Sequence, residues 1–118
     1  MKLAIRYVRD HGVKKDERII LKALDNIDIG SYMLADTTYI SDAEVSNKLR
    51  HTFWLPDQEV KKDDLIVIYT KEGRDSVKAN KSGSKTYFFY WGINRTVWNV
   101  DEDAAALFLV GDWSSKKV

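Results

Sequence analysis

The sequence predicts an all-β domain, a sandwich or barrel of about seven to eight strands. Apolar residues recur at every second position, the period of a strand with one buried face. Turn-forming clusters (DHG, DNID, LPDQ, KEG and NKSGS) separate these runs at the spacing expected of such folds. Helical signals are confined to two places. One is SDAEVSNKL at 41–49, where Ser41 and Glu44 form a capping box. The other is the alanine run at 104–106, which Phe108 and Val110 pull back toward strand.

The elements follow in order. KLAIRYVR sets Leu3, Ile5 and Tyr7 against Lys2, Ala4 and Arg6, a half-buried strand. ERIILKAL places Ile19, Leu21 and Ala23 on one face, and IGSYMLADTTYI places Tyr32 with Leu34. KLRHTFWL puts Leu49, His51, Phe53 and Leu55 on one side and Arg50, Thr52 and Trp54 on the other. DLIVIYTK is apolar on both faces, which predicts a central or doubly covered strand. TYFFYWG and AAALFLVG complete the set. Between them KEGRDSVKANKSGSK, residues 71–85, is rich in Gly, Ser, Asn and Lys and predicts one long flexible loop.

At 118 residues the chain is one domain long and can bury a core without metals or disulfides. It has no cysteine, so disulfides, thiolate nucleophiles and cysteine-based zinc sites are excluded. Lys and Arg number 19 against 18 Asp and Glu. That near-neutral balance argues against a protein that coats nucleic acid, whose affinity comes from neutralising phosphates. The N-terminus does not read as a signal peptide, because Arg6 and Arg9 interrupt its apolar residues. No run approaches the roughly 18 apolar residues of a membrane span. The expectation is a single cytoplasmic domain with no membrane association.

Several pieces in order resemble the lamin tail domain in its bacterial form. ERIILKAL is similar to the family's early strand, and DNIDIGSYMLAD to the following Gly-aromatic-x-Leu-x-Asp piece. HTFWLPDQEVKKDDLIVIYT is similar to its Phe-x-apolar-Pro strand, turn and apolar strand, and VWNVDEDAAALFLVG to its closing segment. The pieces span about residues 17 to 111. The resemblance implies an immunoglobulin-like β-sandwich. It also implies a non-catalytic interaction module, and it supplies no shared set of site residues.

Read for chemistry, the residues agree with that class. His11 and His51 lie forty positions apart and do not make a metal site. No Gly-x-Ser-x-Gly elbow and no phosphate-binding glycine loop occurs. The DED run at 101–103 and the Asp63–Asp64 pair read as solvated turns. Neither an enzyme nor a cofactor is therefore expected.

The aromatics are the unusual feature. Six of the fourteen fall between Tyr87 and Trp98. In a strand, Tyr87, Phe89 and Trp91 share one face while Phe88 and Tyr90 share the other, and one sandwich core accounts for only one face. Trp54 faces outward by the same parity, and the resemblance implies that Trp98, at the start of the closing segment, lies in the core. Trp54, Phe88 and Tyr90 are thus the candidate residues for binding a protein partner or a second copy. The alternative is a nucleic-acid-binding module. It would use Arg74, Lys78, Lys81 and Lys85 of the 71–85 segment for anions and the neighbouring aromatics for stacking.

Overall fold

The computed structural model describes residues 1–41, 44–99 and 102–118. The described residues form eleven strands: β1 Leu3–Arg9, β2 Arg18–Ala23, β3 Ile27–Asp28, β4 Tyr32–Ser41, β5 Glu44–Val45, β6 Thr52–Trp54, β7 Glu59–Val60, β8 Leu65–Tyr69, β9 Ser76–Ala79, β10 Lys85–Tyr90 and β11 Asp103–Leu109. The fold is an all-β sandwich. The excess over seven or eight strands comes from β3, β5 and β7, each two residues long, and from β9. Among the described residues no helix is long and apolar enough to cross a membrane.

Two sheets hold the core between them. One has the order β1-β2-β8-β10-β9, with β8 and β10 parallel and the other pairs antiparallel. The other has the order β11-β4-β5, with β6 also pairing with β4. The doubly apolar run at 65–69 is the middle strand of the five-stranded sheet, where both of its faces are sheltered. Ile19, Leu21 and Ala23 of β2 face inward with Ile66 and Ile68 of β8 and Phe89 of β10. Tyr32 and Leu34 of β4 meet them from the opposite sheet. Each large apolar side chain so buried contributes on the order of 1.5–3 kcal/mol.

Three local expectations change. The strict alternation of β1 breaks at a bulge between Ile5 and Tyr7. Ile5 still packs on the core, but the inserted residue turns Tyr7 to the opposite face, opposite Ile20, and puts Val8 inward. Next, Ser41 ends β4 and Glu44 begins β5, so no capping box opens a helix here; Asp42 and Ala43 lie outside the described residues. Pairing with β4 overrides the local signal. The alanine run, as expected, is strand: it pairs along β4 as part of β11.

The third change concerns 71–85, which is not one long loop. Ser76–Ala79 pairs antiparallel with Lys85–Phe88, making a hairpin. Its turn is closed by Asn80 N–H to Ser84 C=O at 2.8 Å and Gly83 N–H to Asn80 C=O at 3.1 Å. Gly83 has φ 91°, a left-handed conformation that glycine adopts without steric cost.

Buried carboxylates fasten the connections. Glu17, fully buried, accepts from the amides of Gly12, Val97 and Trp98 and from the Thr70 hydroxyl. Asp36 accepts from the His51 amide at 2.7 Å, contacts the His51 ring at Nδ1, and pairs with Arg50. Asp64 accepts from the amides of Lys61 and Lys85. Asp64 is therefore not the solvated turn residue its sequence context suggests; only Asp63 is exposed. Asp103 likewise belongs to a strand, accepting from the Asn99 amide and from Arg50. Asp101 lies outside the described residues.

Candidate interaction surfaces

The split of the 87–91 aromatics is resolved by strand pairing. Phe89 is buried, and Tyr87 and Trp91 pack on the core beside it. Trp91 continues the aromatic packing inward, with ring centroids 5.5 Å from Phe53 and 5.9 Å from Trp98. Trp98 is buried as expected, and its indole N–H donates to Ala104 C=O at 3.2 Å. Phe88 and Tyr90 are left on the outer face of the five-stranded sheet.

That outer face is ordered in rows by the register. Tyr7 pairs with Ile20, Ile20 with Val67, and Val67 with Phe88. Side chains directly opposite one another share a face, so the four form an apolar band across four strands. A second row, Arg9, Arg18, Tyr69 and Tyr90, runs beside it. Within these rows Arg9 sits over the Tyr7 ring at 4.2 Å, and Arg18 and Lys71 approach the Tyr69 ring at 5.8 and 4.9 Å. Arg18 also pairs with Asp10 at 2.7 Å.

Tyr90, like Phe88, is partly buried. It stacks on Tyr69, with centroids 5.3 Å apart and planes 13° from parallel. The chain beyond β8 then folds over it. Gly73 lies so close to the Tyr90 ring that a Cβ there would overlap it. The outer aromatic set is thus covered at one end by the 71–73 turn. At the other end Tyr7 stays half exposed and Phe88 is partly open.

Trp54 does not join this surface. It projects from β6 on the outer face of the four-stranded sheet, on the far side of the core. There it pairs with Met33, which pairs in turn with Phe108. Its indole N–H donates to Gly30 C=O at 2.7 Å, and its ring meets Trp113 edge to face, with centroids 5.2 Å apart.

The four basic candidates do not converge either. Lys78 pairs with Thr86 and so faces outward, whereas Lys85 pairs with Ala79 and faces the other way. Lys81 lies in the hairpin turn, and Arg74 precedes the far end of β9. Lys85 instead lines an open polar cleft of about 700 Å³ with Asp28, Gln58, Glu59, Lys61 and Tyr87. Burial, and then the charge of Asp64, raise the Tyr87 phenol above its ordinary 10.0. Among the described residues, no group of three or more His, Asp and Glu comes together to hold a metal ion.

Sequence reasoning missed Tyr7 as a surface residue, because a bulge leaves no mark in the alternation of a seven-residue strand. It also missed Trp113, which lies beyond the last strand in a mostly polar tail. No family model matches the chain, and no curated protein is significantly similar to it.

Proposed function

We propose that this chain is a non-enzymatic interaction module that binds a protein partner through the outer face of its five-stranded sheet, in keeping with its resemblance to lamin tail domains. The supporting observation is the band Tyr7–Ile20–Val67–Phe88. The solvent side of a sheet is normally polar, and an apolar band there is the composition of an interface centre. Arg9, Arg18 and Lys71 flank it, so a partner offering an apolar anchor rimmed by carboxylates complements it.

One observation favours the second reading, single-stranded nucleic acid. Tyrosine faces interleaved with cations are also the elements of a base-stacking platform. Both readings are tested together. A photo-crosslinking side chain at Phe88 is compared with one at exposed Val77. Specific protein capture at Phe88, lost in Tyr7→Ser with an unchanged far-UV spectrum, supports the protein reading. Salt-dependent binding of single-stranded DNA that weakens in Arg9→Ala transfers the surface to nucleic acid. If neither substitution changes any binding, this face is not the recognition surface.

A further inference from the structure

The outer face of the four-stranded sheet carries its own apolar row, Trp54, Met33 and Phe108, set side by side by the register of β6, β4 and β11. Trp54 is held in a fixed pose. Its only polar atom is spent on Gly30 C=O, which leaves the ring free to meet an apolar partner. The chain's C-terminal segment lies against it. Val110 N–H donates to Ser31 C=O at 2.8 Å, which sets where the chain leaves β11. Three residues later Trp113 meets Trp54 edge to face.

The rest of this segment is lightly attached. Residues 111–118 are all exposed and form no strand or helix. The Trp113 amide bonds to the neighbouring Asp112 side chain. Trp113 remains 64% exposed and Trp54 45% exposed although they touch. A single edge-to-face aromatic contact is weak, so its persistence depends on the high effective concentration of a tethered segment. The two sides also carry opposite charge: Asp28 and Asp57 lie against Gly30, whose carbonyl holds the Trp54 indole, and the segment carries Lys116 and Lys117.

We propose that the Trp54–Met33–Phe108 row is a docking site for a tryptophan-bearing extended peptide, and that its resident occupant is the chain's own Gly111–Val118 segment, seated through Trp113. The site is self-masked. A peptide of similar chemistry, one aromatic anchor followed by basic residues, binds only by displacing the segment. This surface is separate from the five-stranded face, and its test is independent of that reading.

The experiment follows the indole N–H resonances by NMR, four in the unaltered chain and three in Trp113→Ala, whose side chain lies outside the core. A synthetic peptide of residues 110–118 is titrated into each. Expected results are a shift of the Trp54 indole signal in Trp113→Ala and its return as peptide is added. Binding should be at least several-fold weaker to the wild-type chain, and absent for a peptide with alanine in place of tryptophan. An unmoved Trp54 signal, equal peptide affinity for both chains, or no binding at millimolar peptide would each overturn the proposal. A concentration-dependent dimer lost in Trp113→Ala would also overturn it, by placing the segment on a second copy.

Discussion

The carboxylate of Glu17 accepts the amide N–H of Val97 at 2.6 Å, joining residues 80 positions apart. Its two oxygens also take the Trp98 and Gly12 amides and the Thr70 hydroxyl. A carboxylate only accepts, so it satisfies all four donors without competing for them. It thereby holds the segment that delivers Trp98 to the core.

Glu17→Ala is expected to destabilise the fold by at least about 3 kcal/mol. It strands the Thr70 hydroxyl and two buried amides, at roughly 1–3 kcal/mol each. Chemical denaturation monitored by tryptophan fluorescence measures this. Glu17→Gln should be intermediate, because its amide nitrogen would face a donor.

Asp28→Ala should cost far less, about 1 kcal/mol. Asp28 Oδ1 accepts the amides of Gly30 and Gln58 at 2.8 and 3.0 Å, but both bonds are exposed. Water replaces the lost acceptor there and cannot do so at Glu17. The same denaturation series ranks the two carboxylates.

The contact between Gly73 and Tyr90 predicts a non-additive pair. Gly73→Ala places a methyl group into the Tyr90 ring and should cost about 1–3 kcal/mol. In a Tyr90→Ala background the same change should cost little. A double-mutant cycle on unfolding free energies detects the difference. An additive result would mean that the turn does not rest on the ring.

Tyr87 predicts a loss of stability at alkaline pH. Its folded pKa is raised above 10.0, chiefly by burial. The folded state therefore holds the phenolic proton more tightly than the unfolded state. Its contribution is complete below about pH 10 and is lost as pH climbs through the higher folded value. Tyr87→Phe should remove this component, giving a flatter stability profile above pH 10 in denaturant titrations.

The class of fold, its core faces and the parity of its aromatics were legible in the order of residues along the chain. Ile19, Leu21 and Ala23, and Tyr32 with Leu34, are buried as their spacing predicts, and Phe89 shares one face with Tyr87 and Trp91. These are local consequences of a two-residue period, which each strand carries alone. What the period cannot express came from the way strands pair and sheets pack. One inserted residue in β1 turned Tyr7 outward, and pairing with β10 made a strand of Ser76–Ala79. Glu17, Asp36 and Asp64 became buried because chain segments distant in sequence brought them amides and cations. Trp54 and Phe88, alike in the sequence as outward aromatics, fell on opposite faces of the sandwich. Alternation tells each side chain which side of its own strand it occupies, and only the pairing of sheets says what stands on that side.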